Sequence, residues 1–313
     1  MQTITLLVAG PIKSRLNAAF TLQDFENSLR VFKLASPAGK IVISTYDGEF
    51  PPALVGLVDS VVNNPDPGYD YFRPNPWPIG NGGRGNRSNY KRLIASTLCG
   101  LQVCDEGFVI KTRVELLPRN PKVFSNWLQK CTNEFESNLS LKIGFFLEHY
   151  SGICFSINGL LGGLPDTLQL GRKADLLRVW ERSNLFWASY SSVLTRKSNR
   201  FPITSEQLIG MSFLREFYSF KIEEKVRKLD RYYRSPRLVK VIIKSEREAF
   251  YFTSYKNSGF ESDYLQKSFT LELSRFSIPG NVWDLVKKLS LVQAKTIYHH
   301  YRRYLVGVRR ILQ

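Results

Sequence analysis

The sequence predicts an α/β fold: a mostly parallel central sheet with flanking helices, followed by a basic, helical C-terminal region. Three observations carry this. Strand-like apolar runs alternate with helix-like amphipathic ones through the first half, the order that a parallel sheet covered by helices requires. The strand-like runs end in stretches rich in Gly, Pro, Asn and Asp. The positive charge gathers in the second half.

Taken in order, ITLLVAG (Ile4 to Gly10) reads as the first strand, the amphipathic Asn17 to Phe32 as a helix, KIVISTY (Lys40 to Tyr46) as the second strand and LVDSVVNN (Leu57 to Asn64) as the third. Arg87 to Leu101 predicts a helix and FVIKTRVELL (Phe108 to Leu117) a fourth strand. A helix near Pro121 to Lys130 follows, then strand-like KIGFFLEH and YSGICFSI. Ser205, or Thr204 before it, is placed to cap a helix beginning near Glu206, with that carboxylate in the first turn beside the helix dipole. Beyond Lys221 the pattern is mainly helical and basic, which divides the chain into an α/β unit, 1–220, and a C-terminal region, 221–313.

Composition narrows the class. With 313 residues, 43% hydrophobic and 13% aromatic, the chain can bury a full core and is neither disordered nor fibrous. The longest apolar runs fall far short of the roughly 20 residues that span a bilayer. MQTITLLVAGPIKS has no basic start or small-residue cleavage site, so a cytoplasmic location is expected. Cys99, Cys104, Cys131 and Cys154 form no CxxC pair and have no His at ligand spacing, which argues against zinc. Residues 172–313 hold 28 Lys and Arg against 13 Asp and Glu, a net of +15 out of the total +17. Such a surface meets polyanions, and with no helix-turn-helix, RNP-like or zinc-finger pattern nucleic acid is not expected. From Asn281 to Gln313, apolar residues at three- and four-residue steps are interleaved with Lys and Arg. They fit either a helix docked on the domain or peripheral contact with anionic lipid at the inner face of the cytoplasmic membrane.

In open α/β sheets ligands bind beyond the carboxyl ends of the strands. Here those ends are GPIKSR (Gly10, Pro11, Arg15), DGEFPP (Asp47), NPDPG (Asp66) and RVELLP. In the fourth strand, Lys111, Arg113 and Glu115 share one face at the two-residue period and Thr112, Val114 and Leu116 the other. An edge strand facing water carries such a row too. Between Asn63 and Asn89 runs a long Pro-, Gly- and aromatic-rich stretch, the composition of a substrate-covering loop. Its Gly82, Gly83 and Gly85 match neither the Rossmann nor the Walker spacing.

Several pieces, in this order, resemble the WavE lipopolysaccharide synthesis family of bacterial glycosyltransferase-like proteins: AGPI, IVISTYDGE, VVNNPDPG, NYKRLIASTLCGL, VIKTRVELL, then LPDTLQLGRKADLLRVW and the SEQ of ITSEQL. The likeness spans roughly residues 4 to 215. Where the family usually has Lys-x-Arg-Ser-Asp, this chain has Lys111, Thr112, Arg113, Val114 and Glu115, and Arg92 is followed by Leu93 in place of Gln. The resemblance implies a GT-A-like nucleotide-sugar-binding fold and transfer of a sugar from a nucleotide-activated donor to a saccharide, lipid-linked acceptor in lipopolysaccharide or capsule biosynthesis.

On that resemblance, Gly10, Pro11, Arg15, Asp47, Asp66, Asn89, Arg92, Lys111 and Arg113 are the expected donor-binding residues. Arg113 suits a diphosphate through its fork of donors. Glu115 is the expected ligand of a divalent cation, Mn2+ or Mg2+, completed by water and phosphate oxygens. Metal-independent catalysis assisted by the two basic residues is the alternative. The candidate bases are Asp166, in a Gly-rich loop, then Glu206, then Asp175, which also reads as an ordinary helix N-terminal acid. His149, after an apolar strand, reads more readily as structural. The competing function is a non-catalytic binder of RNA or acidic glycan. Against it stands Glu115, whose charge repels phosphate.

Overall fold

The computed structural model describes residues 3–17, 20–46, 48, 50–71, 87–138, 143–147, 156–157, 160–161, 166–197, 205–218, 250–254 and 260–261. Its strands are β1 (Ile4–Ala9), β2 (Lys40–Thr45), β3 (Ser60–Asn63), β4 (Asp70–Tyr71), β5 (Arg87–Ser88), β6 (Phe108–Thr112), β7 (Leu117–Pro118), β8 (Ile143–Leu147), β9 (Ser156–Ile157), β10 (Leu160–Leu161), β11 (Gln169–Arg172), β12 (Phe250–Ser254) and β13 (Phe260–Glu261). The helices are α1 (Leu22–Ala35), α2 (Tyr90–Val103), α3 (Pro121–Ser137), α4 (Lys173–Lys197) and α5 (Ser205–Tyr218), with a 3-10 turn at Pro52–Leu57.

Seven strands form one sheet in the order β12-β8-β11-β6-β1-β2-β3. Every neighbouring pair is parallel except those made by β11, which runs antiparallel to both β6 and β8. The expected α/β class with a mostly parallel sheet is therefore the fold observed. Strand β12 lies within 221–313, the part of the chain read as basic and mainly helical, and it extends the sheet at one edge.

All six residues of β1 are buried, because helices cover both faces of the sheet. The two-residue period sorts them. Leu7 and Ala9 join Val109 in a core under α2, α4 and α5, while Leu6 and Val8 join Ile41, Ile43 and Ile110 in a second core under α1 and α3. Helix α2 seats on the first core through Gly100. A Cβ there meets Leu7 Cδ1 at 2.4 Å and Ser44 Cβ at 2.9 Å, so only glycine permits this approach.

Boundaries moved where local chemistry overrode apolar periodicity. The first helix starts at Leu22 rather than Asn17: Thr21 and Asp24 form a reciprocal capping box, and Asn17 instead bridges Phe20. The third strand begins at Ser60, because Pro51 and Pro52 direct the preceding residues into a 3-10 turn. Arg87 and Ser88 pair with Tyr71 and Asp70 as a short ladder, so α2 opens at Tyr90. Helix α3 continues to Ser137, past the expected end near Lys130.

Candidate functional site at the carboxyl edge of the sheet

Parallel pairing of β3, β2, β1 and β6 brings their carboxyl ends to one edge, and the backbone there is tied across strands. Gly10, at φ +128, donates its N–H to Ser44 O at 2.9 Å. Asn64 Nδ2 reaches Ser44 Oγ at 2.9 Å. Because β11 is antiparallel, with Gln169 opposite Lys111, the residues just before it return to this edge. Asp166 thus arrives beside Arg113 from a distant part of the chain.

The first cluster follows β6. The strand ends at Thr112, but the alternation of faces survives the turn that comes next: Val114 and Leu116 are buried, while Arg113 and Glu115 are half-buried. Arg113 Nη2 donates to Asp166 Oδ2 at 2.6 Å. The side chains are 27% and 4% exposed, so the carboxylate is interior and the guanidinium half-buried. Glu115 lies between two cations, 3.9 Å from Arg113 Nη1 and 4.0 Å from Arg15 Nε. Arg15 comes from the helical turn after β1, where its N–H donates to Ile12 O. Pro11 stands at the start of that turn, half-buried.

Lys111 is fully buried, so it is not an exposed member of a basic row. It shares the sheet face of Val109 and lies beneath α4. Its ammonium donates to the main-chain oxygen of Asp166 and sits 5.1 Å from the Trp180 ring centroid. Burial pulls its pKa down to about 7, opposed by the charge of Asp166.

The second cluster follows β3. Arg92, in the first turn of α2, makes a two-pronged ion pair with Asp66, its Nε reaching Oδ1 at 2.6 Å and Nη2 meeting Oδ2. Its guanidinium lies 3.6 Å from the Tyr69 ring centroid and 5.3 Å from that of Tyr46. Asp66 also accepts from Gly68 N at 2.9 Å, a local turn that fixes the carboxylate. The hydrogen bonds from Arg92 hold the Asp66 carboxyl below the usual range, and Asp66 in turn raises the Arg92 pKa. Asn89 is the α2 N-cap residue, exposed and without a side-chain capping bond.

The remaining expected residues are dispersed. Asp175 lies in the first turn of α4, after Arg172, which is level with Phe108; it is therefore at the opposite edge of the sheet, in the place of a helix N-terminal acid. Glu206 is the second residue of α5, and its side chain lies outside the described residues. Helices α4 and α5 run antiparallel, with Ser183 bonded to Ser212 and Arg182 to Glu216. The start of α5 is thus carried toward the end of α4 where Trp187 packs edge-on against Tyr90 of α2. Asp47, His149, Cys154 and the glycines at 82, 83 and 85 lie outside the described residues.

A divalent cation needs converging oxygen ligands. Among the described residues no three His, Cys, Asp or Glu side chains converge, and the two carboxylates of the first cluster are each met by a guanidinium. This donor set does not fit a metal. It fits an anion.

Three contributors carried no recognisable signal in the sequence: Gln169, Trp180 and Tyr69. Gln169 and Trp180 support Lys111 from β11 and α4, and only the antiparallel return of β11 pairs them with it. Tyr69 is one of several aromatics in a Pro-rich stretch, and nothing local distinguishes it.

A family model for WavE lipopolysaccharide synthesis matches residues 4–233. The chain belongs to that family. No curated protein matches this WavE-family chain. Solved structures with some likeness include a Methanothermobacter nucleotidyl transferase, 14% identical over 68% of this chain and 82% of its own, with a TM-score of 0.36. The galactosyltransferase LgtC, solved with donor and acceptor sugar analogues, is 14% identical over 68% of this chain and 70% of its own, at 0.33. The Streptococcus pneumoniae glycosyltransferase GlyE is 10% identical over 96% and 64%, at 0.35. At such scores these likenesses carry no weight for activity, whereas family membership does. No described helix of this WavE-family protein is long and apolar enough to cross a membrane.

Proposed function

We propose that this WavE-family protein is a glycosyltransferase of lipopolysaccharide or capsule assembly that moves a sugar from a nucleotide-activated donor to a saccharide acceptor. The observation that carries the reading is the Arg113–Asp166 pair at the carboxyl edge: a buried carboxylate orients a half-buried guanidinium beyond the strand ends, with Arg15 beside it across Glu115. A leaving diphosphate gains negative charge as the sugar departs, and preorganised cations in a partly desolvated site stabilise that charge more than water does. Arg113 and Arg15 are assigned that role. Glu115 bridges the two guanidinium groups and offsets their mutual repulsion.

The Asp66–Arg92–Tyr69 cluster is assigned the nucleoside end. It lies three strand spacings from the first cluster along the β3-β2-β1-β6 order, roughly 14 Å. Asp66 offers carboxylate oxygens to hydroxyl or N–H donors, and Arg92 with its tyrosines forms a stiff wall. Asp166 is buried against Arg113, so its part is to hold that cation. The base that takes the acceptor's proton is assigned to Glu206, at the end of α5 carried toward this edge. The acceptor is proposed to be lipid-linked, with the protein working from the cytoplasm and its basic 221–313 region touching anionic lipid. Apart from β12 and β13, that region lies outside the described residues.

The test is a thermal-shift screen of UDP, GDP and CMP, followed by assays for nucleotide release from the matching sugar donors. A ligand that binds only the folded state at about 100 times its Kd adds roughly 2.7 kcal/mol of stability, an easily seen shift. Stabilisation by a nucleotide with donor turnover supports the proposal. Stabilisation by oligonucleotides or acidic glycans alone makes the protein a polyanion binder instead.

A further inference from the structure

A lysine with no exposed surface is an expensive residue to keep. Burying an ammonium costs far more than burying a methylene chain of the same shape, and buried ionic groups are often replaced by apolar ones with no loss of stability. Lys111 nonetheless occupies the fourth of the five buried positions of β6, one residue before the strand ends beneath the site.

Its surroundings show what it joins. On one side the ammonium donates to the main-chain oxygen of Asp166. On the other it faces the ring of Trp180, whose Nε1 donates to Gln169 Oε1 at 3.0 Å, and Gln169 is the residue opposite Lys111 in the ladder. Strand β6, the segment leading into β11 and helix α4 therefore meet at one nitrogen. The charged groups around it are Asp166, Arg113 and Glu115, all members of the first cluster.

We propose that Lys111 is a positioning residue: it ties the main chain at Asp166 to the Gln169–Trp180 support and so fixes the Asp166 carboxylate that aims Arg113 at the donor's diphosphate. This rests on the assignment of Arg113 to the diphosphate. Lys111 touches no ligand, and it acts through Asp166. A Met in its place packs against Trp180 equally well, so the fold tolerates the exchange while the aim of Arg113 relaxes.

The experiment is calorimetric titration of the full-length protein with UDP and GDP, and with uridine and guanosine as controls. The variants are Lys111→Met, Asp166→Asn, the double variant and Trp180→Phe. Lys111→Met should weaken binding of the preferred nucleoside diphosphate about tenfold, the contribution of one charge-assisted hydrogen bond, and leave nucleoside binding unchanged. In the Asp166→Asn background the same exchange should cost less than about twofold, because the group it positions is already gone. Trp180→Phe, which removes the Gln169 bond and keeps a smaller aromatic ring against the ammonium, should give a smaller loss in the same direction, and it decides the matter by the same criterion if Lys111→Met does not fold. Unchanged diphosphate affinity in Lys111→Met, a tenfold loss that persists in Asp166→Asn, or equal loss of the nucleoside overturns the inference while the diphosphate assignment stands. A wild-type protein that binds neither UDP nor GDP overturns the assignment itself, and this inference with it.

Discussion

The site holds two Arg–Asp pairs of opposite construction. In Arg113–Asp166 the carboxylate is 4% exposed and the guanidinium 27%; in Arg92–Asp66 the guanidinium is 14% exposed and the carboxylate 39%. The same two residue types thus present a cation to the solvent edge in one place and an anion in the other. What differs is the support. Asp166 is held from below by Lys111 on β6, whereas Arg92 is held by the rings of Tyr69 and Tyr46 at the start of α2. An ion pair therefore acquires its chemical direction from whichever partner the fold buries.

Removing one cation at a time separates the two pairs. Arg113→Ala leaves a buried carboxylate without its guanidinium and should cost about 3 kcal/mol at neutral pH in urea unfolding. That penalty should shrink as pH falls and the stranded acid is protonated. Gly100→Val tests the other side by wedging α2 away from Leu7 and Ser44, and should cost about 2 kcal/mol by overpacking. Since α2 carries Arg92, nucleoside affinity should fall with it. Arg92→Ala leaves an acid that water can reach, so the loss should be only about 1 kcal/mol. A larger penalty for Arg92→Ala than for Arg113→Ala contradicts the assigned directions.

A finer effect concerns pH. Burial pulls the Lys111 pKa down to about 7 in the folded protein, whereas the unfolded chain holds the proton to the ordinary lysine value of 10.5. Between those limits unfolding takes up a proton, so Lys111 makes stability rise with pH. The melting temperature of wild type relative to Lys111→Met should therefore climb from pH 7 to pH 9. A difference that stays flat or falls contradicts the burial of the ammonium.

Much of this fold was legible because the strands that build it are continuous apolar runs with turn residues at their ends. ITLLVA and KIVIST could hardly be anything else, and the rule that ligands bind beyond such ends located the edge. The exposed chemistry of Arg113 and Asp66 was legible for the same reason. Lys111 was not: its period-two neighbours looked like a charged row, and only the docking of α4 shows that the row begins inside the core. Strand β11 was hidden too, because QLGR is short, polar at both ends and broken by a glycine. Without its antiparallel return Asp166 has no place beside Arg113, while Asp175, two residues inside the helix that follows, goes to the far edge.

Arg113 is assigned to a diphosphate, and Arg92 with Asp66 to the nucleoside. The most direct test of this assignment is the ratio of nucleoside-diphosphate to nucleoside affinity, measured by calorimetry for wild type and Arg113→Ala. Arg113→Ala should lose about tenfold or more for the diphosphate, in line with a forked charge-assisted contact, while the nucleoside binds as before. Equal losses for both ligands, or a ratio that does not change, would contradict the assignment.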